Sequence, residues 1–216
     1  MATMPRDGLV RDDLGTGRCW WCGDDALYVT YHDDEWGRPV DDDRLLFEKI
    51  CLEGFQSGLS WLTILRKREA FREAFDGFDW TRIASFDTDR VEVLLTNAAI
   101  VRHRKKIESV INNARRMPAL LDEFGTLAAF AWSHVRASSD RPAAITVDVL
   151  PELTTTPASM AMSSGLRRRG WSFIGPTTAY AFMQSVGIVN DHLDGCFRRI
   201  TAERARRRFD RPKSAS

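Results

Sequence analysis

The 216-residue sequence contains no apolar run of about eighteen residues, so no membrane-spanning helix and no membrane partner are expected. Met1 to Leu14 mixes arginine and aspartate without an apolar segment, which argues against a secretory signal and for a cytoplasmic protein. Net charge is nearly absent, with 31 basic residues against 30 acidic ones, a formal +1. The chain as a whole therefore does not attract polyanions, and any nucleic-acid face must be a local patch. Cysteine is scarce: four in a chain expected to be cytosolic fit metal ligation or buried thiols better than a disulfide framework. There is no internal repeat and no low-complexity segment.

What is present is enough to build a core, since 44% of the residues are hydrophobic. Seven Trp and twelve Phe exceed the needs of packing, so some rings are free to stack on a flat partner. Residues 1–18 and 201–216 are polar and read as poorly ordered tails, leaving 19–200 as one domain. Arginine gathers late, at 167–169, 198–199, 204 and 206–208, and this run reads as a solvated helix face followed by a basic tail.

Apolar spacing makes the interior all-α. Asp42 or Asp43 can cap a helix through Leu45, Phe47, Ile50 and Leu52, and Ser60 another through Trp61, Ile64 and Leu65. A short helix follows around Val91 to Leu95, then a longer basic one through Ile107 and Val110, then one from Leu127 to Val135. From Ala137 to Pro157 the composition turns to Ser, Thr, Pro and Asp and reads as a loop, in which Ile145, Val147, Val149 and Leu150 pack as an irregular flap. Thr156 and Pro157 open a helix to Arg169, closed by Gly170, and Pro176 opens the next, closed by Gly187.

Cys19 and His32 near the start, and His192 and Cys196 one helical turn apart near the end, form a donor set suited to tetrahedral zinc with all positions closed, hence structural. Two alternatives stand beside this. Cys22 completes a CxxC with Cys19, and His192 and Cys196 can be a helix cap and a small buried hydrophobe. Cys51 belongs to an apolar helix face and reads as core.

The segment LRRRGWSFIGPTTAYAFMQSVG, residues 166–187, is a helix, a glycine-bearing hairpin and a second helix. Backbone N–H groups at the start of the second helix, around Gly175 and Thr177, can cradle a phosphate. Any helical hairpin also needs a glycine turn, so the motif alone does not decide for DNA.

Assembled, these stretches resemble the bacterial 3-methyladenine DNA glycosylase I family of the helix-hairpin-helix glycosylase superfamily. The likeness is carried by CWWC at 19–22, LYVTYHDDEWG at 27–37, LFEKICLEGFQSGLSW at 46–61, IVRHRKKIESVINNA at 100–114 and RGWSFIGPTTAYAFMQSVGIVNDHLDGC at 169–196. It implies an all-α helix-hairpin-helix glycosylase fold, with one structural zinc held by Cys19, His32, His192 and Cys196 joining the N- and C-terminal segments. It implies a monofunctional hydrolase that flips and excises 3-methyladenine from double-stranded alkylated DNA, releasing the base and leaving an abasic site. Glu53, Tyr31 and Trp61 fall at its active site, with Trp21 and Tyr28 also facing the base. Leu59 is either a wedge that fills the gap in the duplex or an ordinary core leucine. Lys49 reads as a solvated charge, which leaves no lysine for a Schiff-base step.

One departure concerns the acid that usually follows the hairpin in that superfamily. Asn190 stands in its place, and Asp191 reads as a cap or as a support for His192. A cationic alkylated purine is already a good leaving group, so a missing acid is compatible with the chemistry. Two other functions remain as alternatives: a non-catalytic DNA-binding or damage-sensing module, and a zinc hydrolase of small molecules, which would need an open metal position. The protein is expected to act as a monomer.

Overall fold

A computed structural model describes residues 4–135 and 141–214. The outermost residues of both expected tails, and 136–140 at the start of the expected loop, lie outside the described residues. Helix accounts for 60% of the structure and strand for 3%. The helices are α1 (Ala26–Asp34), α2 (Asp43–Gln56), α3 (Trp61–Arg66), α4 (Arg68–Ala74), α5 (Trp80–Ile83), α6 (Thr88–Thr96), α7 (Arg104–Phe124), α8 (Leu127–Trp132), α9 (Pro157–Arg168), α10 (Pro176–Ser185) and α11 (Arg198–Arg208).

Helix starts fall where the sequence supplies caps. Asp42 accepts from Leu45 N at 2.7 Å and Ser60 from Thr63 N at 3.2 Å, while Thr156 and Ser159 form a reciprocal capping box around Pro157. Asp43, the other candidate cap of α2, instead reaches across to the first N–H groups of α8, at Leu127 and Ala128. Helix α2 is the axle of the fold, packing on α3, α7, α8 and α10 and buried continuously from Leu46 to Phe55. The long α7 presents Ile107, Val110, Ile111, Ala114, Met117 and Leu120 inward at helical spacing, and Phe47, Phe55, Phe71, Phe75 and Phe78 fill the core between.

Two expectations are corrected. The stretch before Cys19 is not a loose tail: β1 (Leu9–Arg11) pairs antiparallel with β2 (Gly17–Cys19), Leu9 opposite Cys19. Its turn is held by Asp12, whose carboxylate accepts from the backbone N–H of Leu14 and Thr16. Three-residue strands show no usable alternation, which hid the hairpin from a periodicity reading. The basic C-terminal stretch is likewise helix, α11, docked by Arg206 onto the carbonyls of Gly187 and Ile188 at 2.8 and 2.7 Å. The flap is a 3-10 segment, Val147–Thr154, with Leu153 and the preceding Ile145 buried.

Candidate active site and metal centre

Because α2 is enclosed, its ionisable side chains require partners. Glu48, Lys49 and Glu53 are 6%, 2% and 5% exposed. Arg72 donates to both oxygens of Glu48 at 2.9 and 2.7 Å, and Lys49 donates to Glu35 at 2.7 Å, where Arg68 also binds. Lys49 is therefore buried and paired, not the solvated charge the sequence indicated; its stem lies against Tyr31, 5.6 Å from ammonium to ring centre. Glu53 alone receives no hydrogen bond from any described residue. Burial pushes its pKa up from 4.5 to about 8, against the pull of the Lys49 charge. A buried carboxyl without a protein donor is costly unless it serves something that arrives later.

Glu53 lies at the wall of a cavity of about 270 Å3 whose other walls include Trp21, Tyr28, Tyr31 and Trp61. Asp25 caps α1 by accepting from Leu27 N and Tyr28 N, so Tyr28 and Tyr31 leave the helix on one side. Trp21 stands on a short 3-10 turn at the start of the chain, and the Ser60 cap fixes Trp61 as the first residue of α3. The rings form a continuous rim: Trp21 to Tyr28 is 5.1 Å between centres, Tyr28 to Tyr31 6.4 Å, and Tyr31 to Trp61 5.4 Å. Burial raises the Tyr28 hydroxyl to about 12 and pushes that of Tyr31 well up as well, so both stay protonated donors. The indole N–H of Trp61 is buried without a partner.

The structure brings together all five ring and carboxylate residues named from the sequence and adds others. Trp36, Gln56, Gln184 and Asp191 also line the cavity. Gln56 follows Glu53 by three residues on the same helix, a spacing that could have found it; Gln184 and Asp191 approach from α10 and beyond, which no local pattern shows. Asp191 does not support His192. It accepts from Tyr180 at 2.5 Å, from Gln184 at 2.8 Å and from Arg141, and Asn190 takes the histidine instead. Leu59 follows Gly58, whose φ is +80°, and is 40% exposed, so it is not a core leucine.

The chain ends meet beside this cavity. Ligand atoms of Cys19, His32 and Cys196 lie within 4.8 Å of one another, all buried, and the His192 ring is 5.1 Å from that of His32. Each histidine has its Nδ1 engaged by an oxygen, His32 by Asp33 at 2.7 Å and His192 by Asn190 at 3.0 Å, which directs Nε2 inward. The Nε2 of His192 is buried and has no partner. Burial holds His192 neutral, its pKa lowered to about 4, and Cys196 is pushed well below the usual thiol range by Cys19 and His32, Cys19 correspondingly upward. A neutral imidazole and a thiolate are the forms that bind metal. Gly37, at φ +78°, leaves room for the His192 ring, because a Cβ there would come within 2.8 Å of Cε1. Cys22 lies outside the cluster, its Sγ against the Cys19 carbonyl at 3.1 Å.

Helix α9 turns into α10 through a hairpin clamped from α7. Asn113 accepts from Ser172 N at 2.9 Å and donates to Ser172 O at 3.1 Å, and Asn112 donates to Gly170 O at 2.8 Å. Gly175 opens α10 with no side-chain cap, and Thr177 is exposed, so the first N–H groups face outward.

Fold and site together define a helical protein with an aromatic-walled pocket and a buried cysteine–histidine cluster. The methyladenine glycosylase family model matches residues 21–199. DNA-3-methyladenine glycosylase of Haemophilus influenzae is 45% identical over 185 residues, covering 84% of this chain and 97% of its own. A crystal structure of 3-methyladenine DNA glycosylase I superposes with a TM-score of 0.76 at 48% identity, covering 83% of this chain and 98% of the other. A variant of 3-methyladenine DNA glycosylase I in complex with 3-methyladenine superposes at 0.74 with 32% identity, covering 84% and 97%. The chain belongs to the methyladenine glycosylase family.

Proposed function

We propose that this protein is a monofunctional DNA glycosylase that excises 3-methyladenine from double-stranded alkylated DNA, leaving an abasic site. The observation that carries the reading is the unpaired buried carboxyl of Glu53 inside the ring of Trp21, Tyr28, Tyr31 and Trp61. Alkylation at N3 makes the purine cationic. Moving such a ring from the stack into this cavity places its charge against aromatic faces, worth about 0.5–2 kcal/mol per good contact, and against a carboxyl that the cation converts to carboxylate. That attraction builds on the positive base and vanishes when the neutral base leaves, so it holds the substrate out of the stack rather than trapping product.

The hairpin at 170–175, with the free N–H groups of α10 and the exposed Leu59, supports a helix-hairpin-helix contact with the backbone and a wedge in the vacated stack. Lys49 is bound to Glu35, so it is not available to form a Schiff base. No helix among the described residues is long and apolar enough to cross a membrane, consistent with work on cytoplasmic DNA.

Cys19, His32 and Cys196, whose ligand atoms are clustered, and His192, whose ring lies beside that of His32 with its Nε2 orphaned among the described residues, fit a zinc ion by their donor chemistry. With all four taken by protein, the ion would hold the chain ends together and open no position for water. Incubation with methylated duplex DNA, followed by analysis of released bases, tests the main reading. Free 3-methyladenine is expected; duplex binding with no base released would leave a damage-sensing module in its place.

A further inference from the structure

The late arginines do not form the plain solvated face that their sequence spacing indicated. Arg199, Arg204, Arg206 and Arg207 line a cleft of about 780 Å3 between α11 and the segment that begins at Arg141, with Pro142, Ala143 and Ile145 as its opposite wall. Arg204 and Arg207, three residues apart, share a side of α11; Arg199 near its start, Arg206, Arg211 beyond its end and Arg141 complete the basic lining, in which the one acid is Glu203. Three of these heads are partly shielded: the side chains of Arg206, Arg141 and Arg199 are 16%, 19% and 24% exposed. Arg204 and Arg211 have no acidic partner among the described residues. Four of the six are ion-paired, Arg206 and Arg207 with Glu203, Arg199 with Asp194 and Arg141 with Asp191, so Arg204 and Arg211 carry the unneutralised charge of the cleft. Like charges still converge on one concavity, and Arg206 shows the effect: burial lowers its pKa first, and neighbouring Arg141 and Arg211 push the same way against Glu203.

We propose that this cleft binds successive phosphates of a DNA backbone, outside the contacts made by the base pocket. The inference rests on the glycosylase reading for its choice of polyanion. Length favours a strand over a small polyphosphate. The eleven residues of α11 extend about 16 Å, against one phosphate per about 3.4 Å of axis on a strand. Position makes it a separate contact. Arg206 binds the carbonyls just after the end of α10, whereas the free N–H groups lie at its start, about 15 Å away along ten residues. The family match stops at residue 199, so nearly all of α11 lies outside it.

The test is the salt dependence of binding to an undamaged labelled duplex, read by fluorescence anisotropy. In Arg204→Ala/Arg211→Ala, two exposed residues are removed, and the slope of log affinity against log salt should fall by about 1.8, with roughly tenfold weaker binding at low salt. Arg204→Lys/Arg211→Lys should restore both, which separates charge from folding. Release of 3-methyladenine at saturating DNA in a single turnover should be unchanged. A slope equal to wild type overturns the proposal. So does an alanine variant that loses pyrophosphate binding while its duplex slope stays intact, which would make the cleft a small-anion site. Because undamaged DNA is used, failure of wild type to release base would refute the glycosylase reading without deciding the slope.

Discussion

At the scale of the residue, the proposed role of Glu53 rests on a burial penalty. Its pKa moves from 4.5 to about 8, so between those values the unfolded chain ionises while the folded one keeps its proton. Folding is thereby penalised progressively as pH rises through that window, and unaffected below it. Glu53→Gln should be more stable than wild type at pH 8, by on the order of 2–4 kcal/mol, and equal to it below about pH 4.5. Parallel denaturation curves at the two pH values check this. Excision should show the converse. If the carboxylate is the form that meets the cation, kcat/KM rises with pH up to about 8, and Glu53→Gln flattens that limb and lowers activity by roughly 100-fold or more. A wild-type profile flat from pH 6 to 9 would remove Glu53 from recognition. The sequence could not establish this role unaided, because an acid on an apolar helix is ordinarily at the surface. What supports it is that α2 is buried from Leu46 to Phe55 and that Glu48 and Lys49 have partners while Glu53 has none among the described residues.

At the scale of the element, the hairpin shows what spacing does and does not reveal. Thr156, Pro157, Gly170 and Pro176 mark the helix ends correctly, since each carries a conformational preference that acts locally. The clamp is not local. Asn112 and Asn113 sit 59 or so residues before the turn they hold, within a basic helix whose spacing gave them no role of their own. Asn113→Ala removes both bonds to Ser172 and leaves a backbone N–H without its acceptor, a loss of about 1–3 kcal/mol. We expect duplex affinity to fall severalfold as the α10 start loses its fixed angle, with the single-turnover rate at saturating DNA kept within about twofold. An unchanged Kd in Asn113→Ala would show that the hairpin needs no clamp to meet its ligand. The N-terminal hairpin was missed for the opposite reason: strands of three residues bury only Leu9, Gly17 and Cys19, too few to make a period.

At the scale of the whole molecule, the two ends of the chain are structural partners. Cys19 closes β2, His32 belongs to α1, and His192 and Cys196 follow α10, so the cluster ties the wall that carries Trp21, Tyr28 and Tyr31 to the last third of the chain. Backbone contacts run along the same seam: Phe197 N donates to Gly17 O at 3.0 Å, and Leu193 N to the Cys19 sulfur at 3.3 Å. The donor types of His192 and Cys196 were legible in sequence, but the single helical face expected to carry them was wrong, since both stand on the non-helical turn between α10 and α11; nor was the meeting of residues some 160 positions apart legible, nor Asn190 as the oxygen that turns His192. A zinc ion at 100 to 1,000 times its dissociation constant would add about 3–4 kcal/mol, which for a chain of this length is roughly 6–16 °C in Tm. Cys196→Ala should therefore lose the metal and that margin together, and a chelator should lower the wild-type Tm equally while leaving the variant unmoved. Glu53→Gln should keep full metal content, because its pocket and the cluster share a wall but no ligand. Metal analysis that finds no zinc in the purified wild type, or a Tm insensitive to both chelator and substitution, would leave hydrogen bonds and packing as the sole fastening of the two ends.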